Sequence, residues 1–207
     1  GCVPFNLNTD GVAFIPDKQG FYKKVWEDWE EKFNLTLELD EFDYWVQTTV
    51  NDYVAVEADG RITTKGGDVN KYHSNNYFKN NDIRITHIAL VNKLVHGDDI
   101  ATTIANHFDE PLLYQYVLQA GSTYEGTFDS NGDKLQKINR VFAVKDGDYQ
   151  IFKKRLDGGL VKFPDAPSKM KVFNGDLSEI DTNKFLSEID LQWYYDLTMK
   201  RWERWKH

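Results

Sequence analysis

A single cysteine, Cys2, occurs in 207 residues, so the chain can neither close an internal disulfide nor build a thiolate zinc cage. The five histidines, His73, His87, His96, His107 and His207, follow neither HExxH nor HxH spacing, which speaks against an imidazole metal site. No run of about eighteen apolar residues occurs, and the first residues lack a basic segment followed by an apolar one. With neither a membrane span nor a signal peptide legible, the expectation is a soluble, cytoplasmic protein without a membrane partner. Repeats and low-complexity tracts are also missing. Apolar residues (41%) and aromatic residues (14%) are plentiful, enough to bury a core in one domain or two small ones.

Charge is unevenly spread. The formal net charge is -8, and residues 1–70 account for all of it with 6 Lys/Arg against 14 Asp/Glu, whereas residues 71–207 carry 19 of each. Within the neutral part, residues 134–171 hold ten basic side chains against four acidic ones. That local excess reads either as a phosphate-binding surface or as the solvated face of a sheet.

Hydrophobic periodicity predicts an α+β fold. Phe5 to Leu7 and Val12 to Ile15 flank Asn8-Thr9-Asp10-Gly11, a tight hairpin that holds a carboxylate at its apex. Phe21, Val25, Trp29 and Phe33 recur every four residues, which predicts a helix of about 16 residues ending near Asn34. Leu35 to Leu39 alternates as a strand, and Tyr44 to Val56 followed by Arg61 to Lys65 predicts further strands around the turn at Ala58-Asp59-Gly60. A helix is expected to cover this small sheet. The polar, Asn-rich stretch Val69 to Asn81 reads as a linker or domain edge. Helices are then predicted over Ile83 to Val95, from Ile100 through Ile104, and over Asp109 to Leu118. Strands follow between Tyr124 and Phe173, including Arg140 to Val144 and Tyr149 to Lys153, and a last helix runs from Leu191.

A carboxylate on a hairpin apex suits Mg²⁺, which takes one or two protein carboxylates plus phosphate oxygens. The order of Asn8-Thr9-Asp10-Gly11, helix, Leu37-Glu38-Leu39-Asp40, Val50 to Val56, Asp59-Gly60-Arg61-Ile62 and Lys65-Gly66 resembles the C-terminal palm region of family B DNA polymerases. Phage-type members are the nearest in pattern. They also share a helix ending like Val95-His96-Gly97-Asp98-Asp99, a segment like Leu135-Gln136-Lys137-Ile138-Asn139-Arg140-Val141-Phe142-Ala143, and an ending like Trp193-Tyr194-Tyr195. Two departures stand out. Asn8 replaces the first aspartate of the family's Asp-Thr-Asp-Ser hairpin, and Val50, Asn51 and Asp52 replace the basic residues of its Lys-Lys-Arg-Tyr segment, leaving Tyr53.

The resemblance implies a division into a palm-like sheet with hairpin and covering helix over residues 1–70 and a mixed helical/β thumb-like, DNA-gripping region over 71–207. It implies nucleotidyl transfer, DNA replication and DNA binding, with Asp10 as a Mg²⁺ ligand, Asn8 beside it as the altered catalytic position, and primer-template DNA and deoxynucleoside triphosphates as partners. It further implies DNA contacts from Tyr53, Lys65, Lys137, Asn139, Arg140, Lys153, Lys154 and Arg155, and from Lys200, Arg201, Arg204 and Lys206 on the last helix. Phosphoryl transfer by two Mg²⁺ ions needs more than one carboxylate. The chain is therefore expected to be the C-terminal piece of a polymerase, inactive alone, completed by an upstream fragment, and working in the cytoplasm of a bacterium or a phage-infected host. Two other classes stay open: a non-catalytic architectural DNA-binding or replication scaffold subunit, and a metal-dependent nuclease using Glu38, Asp40, Glu41 and Asp43. The acidic run reads more simply as a solvated strand edge.

Overall fold

The computed structural model describes residues 1–74, 82–164 and 166–206. Asn75, Asn76, Asn80 and Asn81 of the expected linker lie outside the described residues. The fold is mixed α+β, with five α-helices and several small antiparallel sheets among the described residues. The chain divides into two compact units, Gly1–Gly66 and Gly67–His207.

In the first unit, β1 (Val3–Leu7) and β2 (Val12–Ile15) form the antiparallel hairpin that the Asn-Thr-Asp-Gly tip predicts, with an irregularity between Pro4 and Asn6. β3 (Phe42–Thr49), β4 (Asp52–Glu57) and β5 (Ile62–Lys65) form a meander in that order. Between hairpin and meander, α1 (Phe21–Phe33) starts where Asp17 Oδ1 accepts from the N–H groups of Gln19 and Phe21, satisfying donors that a helix start leaves open. It stops at Asn34, whose φ of 51° is left-handed. Tyr22 packs on Phe14 of the hairpin, with ring centroids 5.4 Å apart. Yet α1 buries none of its residues, so the apolar stripe that predicts a sheet-covering helix faces solvent. The predicted strand Leu35 to Leu39 is a second correction. Those residues belong to no sheet, because alternation supplies a strand face but not the neighbouring backbone that a strand must bond.

The second unit is larger and better filled. α2 (Arg84–His96) and α3 (Ile100–Asn106) come first. Gly97, at φ 77°, ends α2 by returning its N–H to Lys93 O, and Asp99 caps α3 by accepting from Thr102 N. Where a helix over Asp109 to Leu118 is predicted, a single 3₁₀ turn at Pro111–Tyr114 gives way to β6 (Tyr116–Gln119), a strand buried on both sides at Val117 and Leu118. β7 (Tyr124–Phe128), β8 (Ile138–Ala143), β9 (Phe152–Arg155), β10 (Leu160–Lys162) and β11 (Met170–Val172) complete two three-stranded antiparallel sheets, ordered β11-β8-β6 and β10-β9-β7. The strand predicted from Tyr149 starts only at Phe152, since Tyr149 instead turns its hydroxyl onto the backbone of Phe163. α4 (Thr182–Glu188), which the sequence reading omits, precedes α5 (Leu191–Trp205).

α2 lies so deep that Ile85 to Val91 are buried without interruption, which explains why its sequence is apolar on every side. Tyr194 of α5 joins helices to sheet. Fully buried, it donates its hydroxyl to Tyr114 O at 2.7 Å and accepts from Ala143 N at 3.0 Å, and burial holds that hydroxyl far above its ordinary pKa. Tyr194→Phe leaves one N–H and one C=O unpaired in the core, at about 1–3 kcal/mol each. We expect urea unfolding to show a loss of about 3 kcal/mol for that variant; a loss below about 1 kcal/mol would mean the strand and turn repack around the ring.

Candidate functional site

The hairpin tip is built by Asn8. Its Oδ1 accepts from both Asp10 N and Gly11 N at 2.8 Å, folding the side chain under the bend. Asp10 is exposed and takes part through its backbone, so its carboxylate stays out of the turn's hydrogen bonds. The hairpin is tied to the meander by a polar clasp. Asn6, the only buried residue of β1, donates to Gln47 Oε1 at 2.7 Å and to Val50 O at 3.3 Å. Gln47 returns its Nε2 to Phe5 O at 2.9 Å and also receives the Trp45 indole N–H at 3.0 Å. Each clasp member is paired, which fixes the ribbon that ends in Asp10.

Tyr53 and Lys65 are brought together as directly opposed residues of β4 and β5. Tyr53 is half-buried and stacks on Trp45 at 4.3 Å and 21°, so one ring face is occupied, whereas Lys65 is exposed. The next residue must be glycine: Gly66 has φ 112°, and a Cβ there would stand 2.2 Å from Asp52 Oδ1.

The predicted DNA contacts of the second unit separate into two sheets. Asn139 on β8 is fully buried, with Nδ2 donating to Thr127 Oγ1 at 3.0 Å and Gln136 O at 2.8 Å, and Oδ1 accepting from Asn174 Nδ2 at 2.9 Å. It is a structural post with no group left for a phosphate, which corrects its expected role. Arg140, half-buried, spends Nε on Gln115 Oε1 at 2.9 Å and reaches Gly175 O at 3.3 Å, and burial lowers its pKa. Lys137 is exposed and, with Lys134, lines a cleft of about 430 Å³ together with Gln119, Ser122, Tyr124 and Glu125. The sequence signal for Lys134 was only its place in the basic tract; Gln119 and Ser122 had none.

On β9, alternation sends Lys153 and Arg155 to one face and Lys154 to the other. Lys153 Nζ lies 4.6 Å from the Tyr124 ring centroid and 5.3 Å from that of Phe163. Lys154 sits 4.7 Å from Phe128 and is paired with Glu125 at 2.9 Å. These ring contacts order the lysine stems without neutralising them.

The basic set of α5 is corrected more strongly. Arg201 is buried and bonds Asp82 at 2.6 Å and Thr86 at 2.8 Å, Arg204 pairs with Asp68, and Lys206 pairs with Glu203. Only Lys200 of the four is exposed with no ion pair among the described residues. The indoles of that helix pack inward too, with Trp205 buried and Trp193 and Trp202 against the core.

No group of three or more His, Cys, Asp or Glu side chains able to hold a metal ion stands together among the described residues. The described residues therefore do not fit a two-metal centre by themselves; Asp10 offers one carboxylate. No helix among the described residues is long and apolar enough to cross a membrane. No protein-family model and no curated protein matches the chain.

Proposed function

We propose that the chain is the C-terminal part of a DNA-directed DNA polymerase of the family B type, contributing one metal-binding carboxylate and a grip on duplex DNA. The observation that carries this reading is the hairpin apex: Asn8 shapes the turn, the Asn6 and Gln47 clasp holds the ribbon, and Asp10 stands exposed at the end. A single carboxylate does not hold two Mg²⁺ ions, so the other ligands and the triphosphate-binding cations belong to another polypeptide segment. Mixing the chain with that upstream fragment, primed template, Mg²⁺ and nucleotides should give primer extension, and Asp10→Ala should remove it.

The grip is assigned to Lys134 and Lys137 in the cleft and to Lys153 and Arg155 on one face of β9. Lys153→Ala with Arg155→Ala should weaken duplex binding and flatten its salt dependence by about two units of log-log slope, whereas Lys154→Ala, on the opposite face and already paired, should leave the slope within about half a unit. Equal slopes for both variants would reject this face as the contact.

One observation favours a second reading, a non-catalytic architectural subunit. Asn8 carries no charge where the family resemblance calls for an aspartate, and its oxygen is spent on the turn. Duplex binding with no extension from wild-type mixtures would select that reading.

A further inference from the structure

The first unit exposes more apolar surface than its fold explains. Phe21 and Val25 of α1 are 63% and 67% exposed, and Trp29 and Phe33 on the same stripe are also exposed. The extended segment that follows adds Leu35, Leu37 and Leu39, all exposed, and is held beside α1 by the Leu37 N–H on Glu30 Oε1 at 2.6 Å. A row of seven large apolar groups on one helix and its adjoining segment is far beyond the scattered exposed leucines of an ordinary surface. The segment also alternates as a strand yet pairs with no strand among the described residues.

Charge tells what kind of partner fits. The unit carries 13 Asp/Glu against 6 Lys/Arg. Glu27, Asp28, Glu30 and Glu31 on α1 and the four carboxylates between 38 and 43 have no basic partner within 4.0 Å among the described residues. Two copies of so acidic a unit repel each other, and so does an anionic lipid surface. An apolar surface rimmed by lysine and arginine is attracted.

We propose that the α1 stripe and Leu35, Leu37 and Leu39 form a docking surface for a second polypeptide with an apolar face and a basic rim. The inference rests on the polymerase reading for the identity of that polypeptide, the upstream palm and fingers fragment, and names where it binds. Docking here buries the stripe.

The test measures binding of the purified upstream fragment to the full chain by calorimetry, without DNA or nucleotide. Val25→Glu with Trp29→Glu should weaken Kd at least about 100-fold. Neither residue is buried, so circular dichroism should be unchanged, and the control Phe108→Glu, at an exposed apolar residue of the other unit, should bind as wild type. Raising salt from about 50 to 500 mM should weaken the wild-type complex severalfold. Wild-type affinity in the double variant, or no wild-type binding at micromolar concentration, overturns the proposal. So does a wild-type chain that dimerises in sedimentation, or binds phosphatidylcholine or phosphatidylserine vesicles, when the double variant does not. Asp10→Ala separates the two claims. If it binds the fragment normally and loses extension, both stand; if it binds normally and extends normally, the docking surface stands and the catalytic assignment falls.

Discussion

Under the polymerase reading proposed above, primer extension by a mixture of the chain and its upstream fragment is expected to fall at least about 100-fold in Asp10→Ala. Asp10 would help to hold a Mg²⁺ ion that would supply several kcal/mol of transition-state charge stabilisation, and each 1.36 kcal/mol is tenfold in rate. The loss should be chemical rather than structural, because the turn uses the Asp10 N–H and not its carboxylate. Thermal unfolding of the variant should accordingly stay within about 0.5 kcal/mol of wild type. Asn8 behaves in the opposite way. Asn8→Ala removes the acceptor of two turn hydrogen bonds and loosens the hairpin, whereas Asn8→Asp keeps both acceptor contacts and adds a second carboxylate. Single-turnover extension should therefore drop in Asn8→Ala and hold or rise in Asn8→Asp. Equal single-turnover rates for wild type and Asp10→Ala would remove the hairpin tip from the chemistry.

The elements that the sequence revealed are those whose signals are local. The hairpin is legible because Asn-Thr-Asp-Gly favours a tight bend wherever it sits, and α5 because its apolar period persists over four turns. Leu35 to Leu39 and Asp109 to Leu118 depart from their sequence patterns for one reason in two forms. A strand exists only if another backbone bonds to it, so alternation left the first without a sheet, while the apolar run of the second found its neighbour in β8, across the intervening β7, and became β6. Pro111 supports only the first turn of the helix that was expected there. Amphipathicity gave α1 correctly as a helix but not its surroundings, since a 3.6-residue stripe says which side is apolar and nothing about what covers it.

For the site, adjacency in sequence misled where alternation decides. Lys153, Lys154 and Arg155 read as one basic cluster, yet a period of two divides them between opposite faces. Asn139 read as a polar contact in a family-like segment, and is instead the buried link between β8 and β7. Arg201 and Arg204 of α5 are tied to partners more than a hundred residues away in the chain, which no local pattern encodes.

That long-range cluster should dominate the acid sensitivity of the second unit. Arg201 holds the Asp82 carboxylate at 2.6 Å, and fully buried His87 brings Nε2 within 2.9 Å of its other oxygen, off the line of a hydrogen bond, with Nδ1 unpartnered among the described residues. Burial, reinforced by Arg201, lowers the His87 pKa despite the nearby Asp82. For Asp82, burial alone would raise the pKa, but His87 and Arg201 together pull it well below the usual carboxylate range. Both groups thus bind protons more weakly folded than unfolded, so stability rises with pH. It should be full above about pH 6.5, fall as the unfolded chain takes up the His87 proton below that, and fall again below about pH 4 as the unfolded Asp82 is protonated. Arg201→Met leaves Asp82 without its guanidinium in a site only a quarter exposed, at a cost of about 2–4 kcal/mol, discounted for that exposure. It also raises the Asp82 and His87 pKa values toward their unfolded ones, so the variant should be less stable at pH 7 and show a shallower pH dependence. Urea unfolding at pH 4, 5.5 and 7 checks both: a variant that keeps the wild-type slope would place the acid response elsewhere than in this cluster.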